Sequence, residues 1–248
     1  MHAPKMKGAV ALVTGANRGL GRALIEALLS RGVKKVYATA RTPESLRPLT
    51  DPRVAKLRLD VTEPEQVRAA VAAAQDVDLV FNNAGLTLAR GLADAGVVDL
   101  ARREMEVNYF GPLQLVQQLA PVLAKNGGGA VVNIGSAAGL TNVPMMPTYS
   151  ASKAALHSLT QAARLLLGPQ RTAVFGVYAG PIDTDMVREL ALPKSAPSDV
   201  ALAILDGVEA GHEDIFPDPF AADFGRRFQA SPKASEQQMA AMMAGPTA

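Results

Sequence analysis

This sequence predicts an α/β domain: one doubly wound parallel sheet, Rossmann-like, with helices on both faces. Short apolar runs alternate with longer stretches of helical periodicity along most of the chain, and repeated β-α alternation builds a parallel sheet. The runs are apolar throughout rather than at every second position, which marks strands buried on both faces. Size agrees, because 248 residues suit a single well-buried α/β domain. Residues 1–248 are therefore read as one domain, with 185–248 as a short lid region and a variable C-terminal tail.

Residues 9–13 (AVALV) read as the first strand and residues 14–21 (TGANRGLG) as a glycine-rich turn. A helical pattern over 22–31 stops at Gly32, and 33–39 reads as a second strand. Strand, turn, helix and strand begin a βαβ unit. Short buried strands follow at 54–59 and 78–81, separated by a helix starting near Thr62 with Pro64 in its first turn. One long helical stretch covers 97–125 and ends at Gly127, Gly128 and Gly129. The next strand is 130–134, followed by a helix that carries Tyr149 and Lys153 to about Leu167, then a strand at 173–178. Beyond Pro181 the pattern loosens to a helix over 199–209 and a short strand over 213–216. From Ala230 the chain is rich in Ala, Met, Gln and Ser and reads as a docked helix or a frayed end.

Composition excludes several classes. A hydrophobic share of 48% fits a globular core, and no apolar run approaches the ~18 residues of a membrane span. Residues 1–7 are mildly basic and run straight into the first strand, so no signal peptide is expected. With no cysteine there is no disulfide, thiolate metal site or cysteine nucleophile; this fits a reducing cytoplasm. His2, His157 and His212 are widely scattered, so no metal site is expected, and a net charge of +2 is too small for a nucleic-acid surface.

The chemistry sits in a few motifs. Tyr149 and Lys153 are four apart in YSASK, one turn of helix from each other, with Ser136 thirteen positions upstream. An ammonium beside a phenol favours the phenolate, and a free tyrosine, with a pKa of about 10, needs that help to exchange protons near neutrality. The Ser136 hydroxyl would hold a carbonyl or alcohol oxygen meanwhile. Gly15, Gly19 and Gly21 have the spacing G-x-x-x-G-x-G between strand and helix. There, missing side chains let a pyrophosphate approach a helix N-terminus. Arg41 follows the second strand where an acid would bind the ribose of NAD. With no acid present, Arg41 and Arg18 point to the 2′-phosphate of NADP, which suits the planar arginine fork. Asp60 reads equally well as an adenine ligand and as a cap. Asn82-Asn83-Ala84-Gly85 ends the fourth strand on the ligand-binding edge. Asn108 lies within an apolar helix, either as a satisfied buried amide or at a distortion near Gly111 and Pro112 that frees a carbonyl.

In order and spacing, TGANRGLG, Asp60-Val61, NNAG, Asn108, Ser136 and YSASK closely resemble the short-chain dehydrogenase/reductase family, in its single-domain, NADP-preferring form. The resemblance covers residues 10–186. It implies an oxidoreductase moving hydride between NADP(H) and a small carbonyl or alcohol. Tyr149 would be the general acid/base, Lys153 would lower its pKa and bind the nicotinamide ribose, Ser136 would orient the substrate, and Asn108 would hold a relay water. The coenzyme would be seated by Gly15, Asn17, Arg18, Gly19, Leu20, Gly21 and Arg41, by Asp60, Val61, Asn82, Ala84 and Gly85, and by Tyr149, Lys153, Gly180, Ile182 and Thr184. A homo-dimer or homo-tetramer packed through the helices at 97–125 and 149–167 is implied too.

Two departures stand out. Ala179-Gly180-Pro181 replaces the family's usual Pro-Gly, and Ile215-Phe216-Pro217-Asp218-Pro219 replaces its glycine-rich end. The short 184–197 segment predicts a small lid over an open or shallow pocket, with Leu86, Leu88, Ala138, Val143, Met145, Met146 and Met186 as apolar candidates for its walls. A catalytically idle NADP-binding sensor or scaffold on the same fold is the alternative. A sugar-nucleotide epimerase would need another glycine spacing and a longer C-terminal domain.

Overall fold

In the computed structural model, residues 4–88, 91–93, 95–188 and 192–244 are described. The apolar runs of the sequence become seven parallel strands: β1 (Val10–Val13), β2 (Lys35–Ala40), β3 (Val54–Arg58), β4 (Leu79–Asn82), β5 (Gly129–Ile134), β6 (Thr172–Val177) and β7 (Asp214–Ile215). They lie in the order β3-β2-β1-β4-β5-β6-β7, and every pairing is parallel. Successive side chains of a strand point to opposite faces, and in β1 both faces are core. Ala11 and Val13 pack on one side, Val10 and Leu12 on the other.

Each face is closed by helices with an apolar stripe. α1 (Gly19–Ser30) and α6 (Pro197–Ala210) cover the first, where Leu24, Leu28, Val200 and Ile204 are fully buried together. Burying a side chain of that size contributes about 1.5–3 kcal/mol. α2 (Pro64–Ala73), α4 (Gly111–Lys125) and α5 (Pro147–Leu167) cover the second, with Val67, Leu115, Leu119, Leu123 and Ala163 in its core. This is the doubly wound sheet expected from the sequence.

Two elements differ from expectation. The long helix predicted over 97–125 is α3 (Val97–Met105) and α4, joined by a π-helical turn at Glu106–Phe110. Gly111 N–H reaches back to Glu106 O across that turn, and Pro112 has no N–H to return to the Asn108 carbonyl. A Cβ on Gly111 would lie 2.7 Å from Val61 Cγ2, so only glycine lets the helix come this close to the end of β3. The second difference is at the C-terminus. The chain after β7 forms a hairpin of two helices, α7 (Pro219–Ala230) and α8 (Pro232–Ala244). α7 starts on an Asp218 cap, whose Oδ1 accepts from Ala221 N (2.9 Å), followed by proline. α8 is docked rather than frayed, because Met239 is buried against Phe224 and Ala137.

Candidate active site

β2 and β4 flank β1 on opposite sides, so the chain diverges at the C-terminal end of β1 and opens the crevice where ligands bind in such sheets. Two polar residues knit the turns that line it. Thr14 Oγ1 accepts from the N–H groups of Asn83 and Ala84, each at 2.9 Å. Asn83 Nδ2 donates to Thr14 O (2.8 Å) and Gly15 O (3.2 Å). Glycine is needed in between, because a Cβ on Gly21 would fall 2.2 Å from Gly15 O and 2.5 Å from Asn83 Nδ2. α1 begins at Gly19, three residues earlier than expected. Its Arg18 cap offers no side-chain bond and its first turn holds no acid, so free N–H groups and the helix dipole face the crevice.

The second group converges from β5 and α5. Ser136 follows β5 and opens a 3-10 turn, Ala137–Gly139. Its Oγ accepts from Ala138 N (3.2 Å) and donates to Ala179 O over a long 3.4 Å, so the hydroxyl is loosely held. This turn packs against α5 so closely that a Cβ on Gly139 would meet the Lys153 carbonyl at 2.7 Å. Lys153 is buried, and its Nζ donates to Ile134 O (2.7 Å) while lying 5.8 Å from the centre of the Tyr149 ring.

Burial pushes the Tyr149 phenol up to about 12; the hydrogen bond from Ser136 pulls it down and the negative charge of Glu104 pushes it up. Burial also lowers Lys153 to about 8. Burial is the largest influence on both groups, and the Lys153 ammonium donates to Ile134 O rather than to the phenol oxygen. At neutral pH the phenol carries its proton.

Turn and helix groups meet in one cleft of about 1540 Å³, well above the roughly 300–1,000 Å³ of a single small-ligand pocket. It is lined by Gly15, Asn17, Arg18, Gly19, Leu20, Gly21, Arg41, Asp60, Val61, Ala84, Gly85, Ser136, Tyr149, Lys153, Gly180, Ile182 and Thr184, nearly the full set named from the sequence. Asp60 also serves as a local cap, its Oδ1 accepting from Thr62 N and Oγ1 at 3.1 and 2.8 Å. Asn82 is not in the lining. It is buried and donates to Asn133 Oδ1 (2.8 Å), and Asn133 in turn donates to Thr160 Oγ1 (2.9 Å); the neighbouring Asn83 faces the cleft instead. Asn108 is also buried behind the surface. Its Oδ1 accepts from Leu86 N and its Nδ2 donates to Leu86 O and Ser152 Oγ, all at 2.8 Å. The amide thus positions the strand-end loop; Asn108 Oδ1 and Lys153 Nζ would lie 3.6 and 3.7 Å from a Cβ on Gly85.

The remaining lining is apolar. Leu86, Ala138, Val143, Met145, Met146 and Met186 are present as expected, and Phe220, Phe224 and Met239 are added by the C-terminal hairpin. Leu88 is not among them; its N–H donates to buried Glu104 Oε1 (2.7 Å). The hairpin packs on the 3-10 turn after Ser136 and adds to the wall beside the short lid. Asp218 ties the hairpin to the loop after β6, since Gly180 N donates to its Oδ2 (2.8 Å). Sequence reasoning reads Asn83 within the NNAG motif but not as a site residue, and it misses buried Asp218 and Glu104, which support the site, although an Asp-Pro helix start is a readable signal for Asp218.

A switch-point crevice, a glycine cradle at a helix N-terminus and a phenol–ammonium–hydroxyl group at its floor define an oxidoreductase of the dinucleotide-binding type. The chain belongs to the short-chain dehydrogenase family: the "short chain dehydrogenase" family model matches residues 9–194. A short-chain dehydrogenase of Penicillium crustosum is 37% identical over 186 residues, covering 72% of this chain and 68% of its own. An uncharacterised oxidoreductase of Staphylococcus saprophyticus is 30% identical, over 81% of this chain and 91% of its own. A crystal structure of a short-chain dehydrogenase from Burkholderia cenocepacia in complex with NADP is 40% identical, with a TM-score of 0.89, covering 95% of this chain and 98% of that one. Another from Streptomyces avermitilis is 28% identical, with a TM-score of 0.83 over 97% and 98%.

Proposed function

We propose that this chain is an NADP(H)-dependent reductase of ketones or aldehydes with apolar substituents. The observation that carries this reading is the position of Tyr149 and Ser136. They line one cleft together with the glycine cradle and the apolar residues Val143, Met145, Met146, Phe220 and Met239. NADP is supported by Arg41, which is exposed at the cleft directly after β2 and has no hydrogen bond or ion pair among the described residues, and by the NADP bound to the Burkholderia relative.

The cradle fits the coenzyme, since α1 opens at Gly19 with no side-chain cap and no acid in its first turn, leaving N–H groups for a pyrophosphate. When bound, the nicotinamide supplies the hydride. Ser136, loosely held, turns its hydroxyl to the substrate carbonyl oxygen. Tyr149 is protonated at neutral pH and donates its proton to that same oxygen. Lys153, ionised below about 8, opposes the negative charge left on the phenolate. The apolar wall keeps bulk water from the reacting oxygen. The second reading, a catalytically idle coenzyme-binding sensor, is favoured by one observation: Lys153 is engaged with Ile134 O rather than with the phenol oxygen.

NADPH oxidation over a panel of ketones, aldehydes and quinones, with Tyr149→Phe alongside, separates the two. The expected result is turnover of apolar carbonyls that Tyr149→Phe lowers by about 10²–10⁴-fold with NADPH affinity retained. NADPH binding without turnover of any compound, and no oxidation of alcohols with NADP, would establish the sensor.

A further inference from the structure

Two arginines look equivalent in the sequence as ligands for a coenzyme 2′-phosphate, and the structure separates them. Arg41 lines the cleft and has no hydrogen bond or ion pair among the described residues. Arg18 has both: its Nη1 donates to Asp185 Oδ2 at 2.7 Å. Asp185 opens the 3-10 turn Asp185–Val187, and this turn leans on the glycine turn, since a Cβ on Gly19 would lie 3.1 Å from Thr184 Cγ2. Its other oxygen, Oδ1, is held by Arg188 within the same turn. Arg18 and Asp185 both line the cleft, and both are solvent-exposed.

We infer that Asp185 is a specificity-determining residue that competes with the coenzyme 2′-phosphate for Arg18. The inference rests on the NADP(H) reading above. A guanidinium binds carboxylate and phosphate with the same planar fork of N–H donors, so an edge given to Asp185 is withdrawn from a phosphate. The carboxylate also repels a phosphate dianion that approaches the same arginine. Its two arginine partners hold Asp185 below the usual carboxylate range, so the competitor is charged throughout the neutral range. NAD(H) has no 2′-phosphate and leaves the pair in place. The penalty therefore falls on NADP(H) alone, and Asp185 tempers a selectivity that Arg18 and Arg41 would otherwise make steeper. The pair is exposed, so the effect is modest and salt-sensitive.

Calorimetric titration at low ionic strength tests this with NADPH, NADH, adenosine 2′,5′-bisphosphate and 5′-AMP. The proteins are the wild type, Asp185→Asn, Arg18→Ala and the double variant. Asp185→Asn is expected to tighten NADPH and the bisphosphate by about two- to five-fold, the range of an exposed ion pair. It should leave NADH and 5′-AMP unchanged, and the gain should vanish in the Arg18→Ala background and at high salt. Equal tightening of NADH, a gain that persists without Arg18, or no change in the NADPH-to-NADH ratio would each overturn the inference alone. Wild-type protein that binds neither dinucleotide would overturn the functional reading and this inference with it.

Discussion

The two halves of the cleft are built by different physics. On the coenzyme side, Thr14 and Asn83 tie the ends of β1 and β4 together through four hydrogen bonds, and glycine sits where a Cβ has no room. On the substrate side the hydrogen bonds run behind the wall, as from Val143 N to Ser150 Oγ (3.1 Å) and from Gly180 N to Asp218 Oδ2 (2.8 Å), and the surface itself is apolar. Val143, Phe224 and Met239 pack as a small satellite cluster, and Met145 is 47% exposed. A hydrogen-bonded cradle requires particular residue types at particular positions, and it holds one shape. An apolar wall requires only volume, and methionine adapts to what it meets. The first half is suited to one invariant ligand, the second to substrates that vary.

The sharpest way to break this contrast is Gly21→Ala. The new methyl group would collide with Gly15 O and Asn83 Nδ2 at 2.2 and 2.5 Å, and both are locked in the network that shapes the turn. Overpacking of this kind costs about 1–3 kcal/mol, and distortion of the turn should lower NADPH affinity by about 10-fold or more, which is ~1.4 kcal/mol. Chemical denaturation and calorimetric titration of the variant measure the two effects. Normal NADPH affinity would show that the coenzyme side is as tolerant as the substrate side.

The same division explains what could be read from the sequence. Seven strands, the glycine turn, NNAG and the Ser136–Tyr149–Lys153 group were all legible, because each is a local pattern with its own physical cause. Which asparagine of the doublet faces the ligand was not. Side chains alternate along a strand end, so a shift of one residue exchanges buried Asn82 for cleft-facing Asn83. The orientation of Lys153 was also hidden, because its acceptor is the carbonyl of Ile134, nineteen positions away. The C-terminal hairpin was hidden for a third reason. Its signals are present in Asp218-Pro219 and in the i, i+4 pair Phe220 and Phe224, but the partner surface at Ala137 and Val143 lies far away in sequence.

Lys153 stands at the seam of the two halves, and its burial gives an intermediate effect. A lysine titrates at 10.5 when free and at about 8 here. Between those values the folded protein binds fewer protons than the unfolded chain, so stability rises with pH across that window. The full cost of burying the charge is carried below it. Lys153→Met removes that cost, of order 3 kcal/mol, and loses the bond to Ile134 O, worth about 1 kcal/mol. The variant should be inactive yet more stable than the wild type at neutral pH by about 1–2 kcal/mol. The difference should close as pH rises to 10.5, when the wild-type lysine is neutral in both states. Urea denaturation at several pH values decides it, and a gain independent of pH would show that packing rather than charge is the cause.

The smallest effect belongs to the wall itself. Phe220 is 38% exposed, lines the cleft and stacks on Phe224 with ring centres 6.2 Å apart. Phe220→Ala removes a contact surface for substrate without touching the cradle, so KM for bulky apolar ketones should rise by about three- to ten-fold, with small ketones little affected. NADPH affinity should be unchanged, because among the described residues no hydrogen bond that shapes the glycine turn runs through the hairpin. Gly180 is a point of connection: its N–H is held by Asp218 beside Phe220, and a Cβ on it would meet the Phe220 ring at 2.7 Å. Steady-state kinetics over a graded ketone series, with NADPH titrations in parallel, reads both halves at once. A fall in NADPH affinity that tracked the rise in KM would mean that the hairpin reaches the coenzyme through Gly180, and that the two halves form one mechanical unit.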